Sequence, residues 1–519
     1  MRRPAVWAVA ALPVVFLVYL FVYPLGRILW ISLSDGDGFR ELLSDPRIRT
    51  AVWFTVWQAG VSTLLTVVAA FPLTAVVSRF RFPGRDLVKA WVTVPFVLPT
   101  VVVGTAFLAL GAERSVVTIL AAHVFYNLAV VVRTLSGVWS RIDPSLVEAA
   151  RSLGASRTRA FLEVTLPLLR PALAAAASIV FLFTFTSFGV VLILGGLRYR
   201  TIEVEIYHQA VTLLDLSTAG ALAVIQLVGV SAIMFMYSRY QETRAVRFRL
   251  VPEAASLRRP ATPGQRVVVA AVVSTTLAAQ TLPLVALLAR SLEGRAAGWR
   301  FLLDPGRLAI RPGEAILNSL TFAAVTALIA TGVGLASAHV ITRDPGALGR
   351  AFDTLLMLPL GTSAVTIGFG FLVALDWPVD LRGTAALVPL AHALVAVPFV
   401  VRATVPGLRA IRPELREAAA VLGASPRRVW REIDLPLIAR AAAVGSGFAA
   451  AVSLGEFGAT SFIVRPDTIT VPTLIFRLLS RPGSVTFGGA MALAVVLMLL
   501  TAGVILAVDR FRTGELGSF

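Results

Sequence analysis

Long apolar runs alternate with short polar segments along the whole chain, at the spacing a membrane-crossing helical bundle requires. A spanning helix needs roughly 20 mostly apolar residues. About twelve such runs can be placed, six before a polar segment at 240–265 and six after it. The first six lie near 5–31, 51–78, 87–112, 115–138, 171–195 and 217–238. The second six lie near 266–289, 315–341, 351–375, 383–403, 438–464 and 484–508. The pattern predicts an all-α integral membrane protein of two tandem six-helix repeats, with halves at 1–239 and 266–519 joined by a linker at 240–265. The opening apolar run, Ala5 to Leu33, is too long for a signal-peptide core and lacks an obvious small-x-small cleavage site, so it is taken as a retained first span.

Composition supports the membrane class. Hydrophobic residues make up 57% of the 519 positions, charged residues 15%, and the mean hydropathy is +0.82. The net charge of +18 is carried by arginines in particular segments, with Lys89 the only lysine. Arg2 and Arg3 precede the first run, Arg79, Arg81, Arg85 and Lys89 separate the second from the third, and Arg510 and Arg512 follow the last. Arg141, Arg151, Arg157, Arg159 and Arg170 lie between the fourth and fifth runs. The positive-inside rule makes these segments cytoplasmic, which puts both termini in the cytoplasm, as an even number of crossings requires. The segment from Tyr240 to Gln265, with Arg244, Arg247, Arg249, Arg258, Arg259 and three prolines, is read as a cytoplasmic linker. No aromatic-rich soluble module accompanies the charge, so nucleic acid is not expected as a partner. The absence of cysteine removes disulfides, thiolate metal sites and cysteine nucleophiles.

The halves are related by an internal duplication. Glu148-Ala149-Ala150 is followed by Gly154 and Pro167; Glu417-Ala418-Ala419 is followed at the same spacing by Gly423 and Pro436. At this offset of 269 positions, His123 falls on His392, Arg133 on Arg402, Pro144 on Pro413, and Phe188-Gly189 on Phe457-Gly458. With six runs per half, both copies have the same orientation, so a pseudo-two-fold axis runs along the membrane normal.

Each duplicated segment (141–170 and 410–440) predicts a short helix, a turn and a second helix. Asp143 can cap and Pro144 can take the first helical position, where its missing N–H costs nothing. Leu146, Ala149, Ala150 and Leu153 share one helical face, as do Leu415, Ala418, Ala419 and Leu422. Gly154 and Gly423 stand where a left-handed helix terminus favours glycine. Ser156 and Ser425 can cap the second helices. One copy alone is compatible with an amphipathic loop lying on the membrane surface; two copies with identical spacing, each between corresponding spans, argue for a shared docking function.

On this Glu-Ala-Ala, Gly, Leu-Pro signature the chain resembles the permease subunits of ATP-binding-cassette importers, in a tandem-fused form similar to the ferric-iron and thiamine permeases. The resemblance implies that Glu148, Ala149, Ala150 and Gly154, with Glu417, Ala418, Ala419 and Gly423, form two coupling sites for the ATPase. It further implies two separate ATPase subunits on the cytoplasmic side, an extracytoplasmic solute-binding protein as donor, and residence in the lipid bilayer of a prokaryotic plasma membrane. No cofactor, metal or catalytic residue is implied, and import rather than export is expected.

The residues agree with an external energy source. No Gly-Lys-Ser/Thr phosphate loop occurs, since Lys89 lies between Val88 and Ala90, and neither H-E-x-x-H nor G-x-S-x-G is present. Ionisable groups inside spans are costly and usually functional. Glu456 within Gly455-Glu456-Phe457-Gly458 is a candidate for the translocation path, with Phe457 and their counterparts Ser187 and Phe188; equally, Glu456 can pair with an arginine at a span end. His123 and His392 are expected to make helix-packing hydrogen bonds. Pro95, Pro99 and Pro359 mark expected kinks in the third span of each half. A secondary carrier is the alternative, but it should place mid-membrane carboxylates in both halves, and only Glu456 qualifies. An intramembrane enzyme has no candidate constellation.

Overall fold

The computed structural model of the protein describes residues 3–34, 36–196, 198–244, 251–304, 311–344 and 346–512. Arg2, Arg247 and Arg249 lie outside the described residues. Ten helices are long and apolar enough to cross a membrane, and two bent pairs raise the number to 12 when each pair counts as one crossing. In the first half the single-helix spans are Val9–Ser34, Pro46–Arg79, Val116–Trp139, Arg157–Phe185 and Leu216–Gln241. In the second half they are Pro263–Ser291, Pro312–Arg343, Leu387–Ala410, Pro426–Gly455 and Ser484–Arg510. The third crossing of each half is the bent pair: Arg85–Val97 with Thr100–Ala109 at 99°, and Ala347–Pro359 with Ala364–Ala374 at 93°. The described residues contain no strand, only an isolated bridge between Phe80 and Arg258.

The expected kinks are therefore sharp breaks. At the first, Leu98 is extended (ψ 121) because the following Pro99 ring disfavours helical geometry for its predecessor. At the second, the break falls beyond Pro359, where the Ser363 hydroxyl accepts hydrogen bonds from the amides of Val365 (3.0 Å) and Thr366 (3.4 Å) and starts a new helix. The inner arm of each pair is buried almost throughout, from Val101 to Phe107 and from Val365 to Phe371.

The fifth and eleventh spans begin and end earlier than hydropathy suggests. Both grow directly out of the polar hairpins, from Arg157 and Pro426, through short π-helical turns at Phe161–Thr165 and Trp430–Asp434. They stop at Phe185 and Gly455 rather than near 195 and 464. The chain then breaks and resumes as the short helices Gly189–Leu194 and Thr460–Ile463. A second short helix follows in each half, Ile202–Tyr207 and Val471–Leu479. The duplicated second spans hold these by one equivalent bond: Thr55 accepts the Ile202 amide at 2.8 Å, and Ser319 accepts the Val471 amide at 2.9 Å.

The halves are interlocked. Val9–Ser34 packs on Pro312–Arg343 and Ala364–Ala374 of the second half, with Pro24 and Ile28 against Gly370. Reciprocally, Pro263–Ser291 packs on the third crossing of the first half. Its Gln280 amide donates to the Phe125 carbonyl (3.3 Å), and its Thr281 hydroxyl accepts from Trp91 (3.2 Å). In lipid such contacts rest on close van der Waals packing and interhelical hydrogen bonds rather than on water exclusion. Small residues provide the fit: a Cβ on Gly370 would come within 3.0 Å of the Pro24 Cβ, and one on Gly455 within 3.2 Å of the Pro99 Cγ. One continuous buried core includes residues of both halves.

Six crossings separate position 153 from 422, and five separate 153 from 377. In this cysteine-free chain, single cysteines at Leu153 and Leu422 should react with an impermeant maleimide from the same side of sealed vesicles, and one at Trp377 from the other. Labelling of Leu153→Cys and Leu422→Cys from opposite sides would contradict the twelve-crossing fold.

Candidate functional site

The two duplicated hairpins adopt one geometry. In the first, Asp143 accepts from the Ser145 amide (2.9 Å) and Pro144 opens the helix Pro144–Ser152. The helix closes at Gly154 (φ +89), with the Ala155 amide on the Ala150 carbonyl (3.0 Å) and the Gly154 amide on that of Arg151 (3.0 Å). In the second, Pro413–Val421 closes at Gly423 (φ +78), with Ala424 on Ala419 (2.9 Å) and Gly423 on Ala420 (3.0 Å). Both are Schellman closures, which need a left-handed residue and hence favour glycine. Ser156 and Ser425 cap the second helices by accepting from Arg159 (3.2 Å) and Arg428 (3.3 Å). The equivalent pairs Arg159–Glu163 and Arg428–Glu432 each measure 2.9 Å.

Neither first helix buries a single residue against its own chain. Glu148, Ala149, Glu417 and Ala418 are exposed, Ala150 and Ala419 half-buried. Leu153 is 89% exposed and Leu422 87%. A helix with leucines presented at its end and alanines along it offers a surface on which another backbone can come close.

What lies beneath the hairpins differs between the halves. In the second, Asp434 is buried and paired with Arg416 of the exposed helix (2.7 Å) and Arg343 at the end of the second-half second span (3.1 Å). Trp430 beside it meets the His339 ring edge-on at 4.8 Å. In the first half, Thr165 and Val147 occupy the positions of Asp434 and Arg416. There the hairpin rests on the ring cluster of Phe71, Trp139 and Phe161, with the Arg79 guanidinium over Trp139 at 5.1 Å.

The candidate path residues converge at the pseudo-axis, where Phe188 and Phe457 stack at 5.4 Å across it. Each is flanked by an edge-on ring at 5.6 Å, Tyr207 beside Phe188 and Phe476 beside Phe457. Tyr207 and Phe476 are related by the same 269-residue offset, so the four rings form a two-fold quartet. Phe188 and Phe457 are both buried at its middle. Gly189 is required here because a Cβ would lie 2.4 Å from the Thr100 hydroxyl oxygen at the first helix break.

The histidines secure the breaks behind this quartet. His123 bonds Ser62 and Ser187, both at 2.9 Å. His392 bonds Ser453 (2.7 Å) and Thr460 (2.8 Å), and its Nε2 also lies 3.3 Å from the Glu456 carboxylate. Glu456 therefore pairs with a histidine rather than an arginine. Its other acceptor sites take the amides of Ala459 (2.8 Å) and Thr460 (3.0 Å), so the carboxylate closes a helix break. A second buried carboxylate, Glu203 on Ile202–Tyr207, accepts from Ser363 (2.6 Å) at the opposite half's helix break and from Gln226 (2.9 Å).

Sequence reasoning missed Tyr207, Phe476, Glu203 and Asp434. Extending the 269-residue alignment past 458 would have found the first two. Among the described residues no group of three or more His, Asp or Glu is placed to hold a metal ion.

Comparison with known proteins bears on these features. The family described as "Binding-protein-dependent transport system inner membrane component" matches the chain twice, over residues 62–247 and 329–512. The thiamine transport system permease protein of Brucella abortus (strain 2308) is 28% identical over 551 aligned residues, covering 100% of this chain and 98% of the relative. Its namesake in Escherichia coli (strain K12) is 25% identical over 539 residues, 96% of each. The sulfate transport system permease protein of Escherichia coli (strain K12) is 27% identical over 241 residues, which is 87% of that protein but 43% of this chain. A relative about half as long is what a tandem duplication of one unit predicts.

His392→Ala should destabilise the protein by about 2 kcal/mol, since it strips a partner from a buried carboxylate, against about 1 kcal/mol for His123→Ala, which frees only hydroxyls. Thermal unfolding in detergent, followed by intrinsic fluorescence, checks the order; equal shifts would remove the stabilising role assigned to the His392–Glu456 pair.

Proposed function

The chain belongs to the family of binding-protein-dependent transport system inner membrane components, the permeases of ATP-binding-cassette importers, and from that premise we propose that it supplies both membrane halves of a thiamine importer. Two separate ATPase subunits would dock on the hairpins at Glu148–Gly154 and Glu417–Gly423, and a solute-binding protein would deliver thiamine to the opposite face. The observation that carries this reading is the pair of exposed helices with the same glycine closure, neither of which has a fully buried residue, reached from one side by chain parity. The arginine-rich hairpins and both termini are then cytoplasmic by the positive-inside rule, in the inner membrane of a prokaryote.

The geometry supplies a mechanism. Each hairpin's second helix is the start of the fifth or eleventh span, and those spans end at Phe185 and Gly455, immediately before the gate rings Phe188 and Phe457. A displacement of the hairpins by closing ATPase subunits is carried along two continuous helices to the stacked pair. Because the rings meet face to face at one point of the pseudo-axis, rotation of the spans parts them and opens the centre. Glu456 with His392, and Ser187 with His123, keep each break rigid so that the motion reaches the rings undamped.

Thiamine is preferred to ferric iron as solute for two reasons. The Brucella abortus and Escherichia coli permeases that align over 96% or more of the chain bear thiamine in their names. A gate of four aromatic rings also suits a heteroaromatic cation, which rings attract by stacking and cation–π contact, better than a hydrated metal ion.

Gly154→Val combined with Gly423→Val should leave insertion intact, since open space surrounds both glycines, while the left-handed turns are lost. Thiamine uptake by whole cells is expected to fall by about tenfold or more, equivalent to ~1.4 kcal/mol of docking; normal uptake would reject the docking role. In vesicles reconstituted with the whole transporter, ATP depletion or vanadate should abolish uptake; uptake persisting on an ion gradient alone would point instead to a secondary carrier.

A further inference from the structure

The two exposed helices are alike, but the second is tied to the body by an ion pair of its own, Arg416 to the buried Asp434. Val147 and Thr165 at the equivalent positions of the first half cannot form an ion pair. The Thr165 hydroxyl is buried without a hydrogen-bond partner. The segment joining the halves occupies this side of the molecule. The Val251 amide donates to the Arg141 carbonyl at 3.0 Å, and the Ser256 hydroxyl donates to the carbonyl of Ser140. These two carbonyls immediately precede Asp143, the cap of the first exposed helix.

The same segment grips the turn between the second and third crossings. Glu253 pairs with Arg85 and, at 3.2 Å, with Lys89; Arg85 in turn donates to the Val77 carbonyl at 2.7 Å. The Arg258 amide donates to the Arg79 carbonyl (3.1 Å), and its carbonyl accepts from the Arg81 amide (2.9 Å). Arg79 is the residue whose guanidinium covers Trp139, on which the first hairpin rests. Burial raises the Glu253 carboxyl, but the bonds from Arg85 and Lys89 outweigh it and hold the group below the usual carboxylate range.

We propose that Val251–Arg258 is a clamp that positions the first docking helix, taking at Pro144–Ser152 the place that the Arg416–Asp434 pair takes at Pro413–Val421. The joining segment is then a working part of the coupling face. This rests on the docking role proposed above, but its test does not. Because the chain has no cysteine, a spin label at Leu153→Cys or Leu422→Cys reports each helix separately in the full-length protein in nanodiscs.

Glu253→Gln with Ser256→Ala should cost the Leu153 label its immobilised spectral component and leave the Leu422 label unchanged. Asp434→Asn should do the reverse. The charge-swapped pair Glu253→Arg with Arg85→Glu should restore the immobilised component at Leu153. An unchanged Leu153 spectrum, or equal loosening at both labels, would overturn the clamp. If the double variant fails to insert, Glu253→Gln alone gives the same comparison. Uptake measured on the same variants separates the two readings. Loosening at Leu153 with undiminished uptake keeps the clamp and removes the docking role, whereas no loosening removes the clamp whatever the uptake.

Discussion

Hydrocarbon offers no hydrogen bonds, so a backbone that leaves the helical path inside a membrane must find its partners within the protein. This chain leaves the path at four places near its pseudo-axis: at Pro99, at Ser363, after Phe185 and after Gly455. Three of the four are closed by particular side chains. Ser363 caps the helix that follows it and in turn donates to Glu203 of the other half. Glu456 takes the freed amides of Ala459 and Thr460. Thr201 donates to the Ser187 carbonyl at 3.2 Å, and Thr55 receives the amide of Ile202. These closures oblige the broken segments to face protein rather than lipid. The aromatic quartet stands at the axis because that is where the irregular backbone is permitted.

Within this shared constraint the halves have diverged in chemistry while keeping geometry. His123 works with two serine hydroxyls, whereas His392 has a serine, a threonine and a carboxylate. One hairpin sits on an ion pair and the other on stacked rings. The parts most nearly identical are the helix closures at Gly154 and Gly423 and the stacked phenylalanines. Those are the points where the two halves present equal surfaces, outward at the glycine turns and inward to each other at the rings. Elsewhere a different set of contacts can support the same backbone.

The legible parts were those written in local chemistry. Apolar run length located the crossings, and glycine, serine and proline at fixed spacing located the hairpins with their caps. The ends of the fifth and eleventh spans were not legible. Apolar residues continue through Leu194 and Ile463, and the breaks are held by bonds between residues far apart in the chain, His392 to Glu456, Thr55 to Ile202 and Ser319 to Val471. The ring stack was half legible: Phe188 and Phe457 fall within the repeat, but their stacking depends on how the halves are brought together. The joining segment was misleading in a different way. Its arginines and prolines suggested a tether, and nothing local to Glu253 pointed to its contacts with Arg85 and Lys89.

The exchange of leading spans between halves bears on how such a chain is made. Val9–Ser34 emerges from the ribosome long before the surface it packs on, Pro312–Arg343, exists, and the groove beside Arg85–Val97 stays vacant until Pro263–Ser291 arrives. The amino-terminal portion cannot mature alone, however independent its repeat makes it look. Biogenesis then has a built-in checkpoint: a nascent polypeptide interrupted midway exposes unsatisfied helix faces to quality-control proteases, and only a finished translation product conceals them.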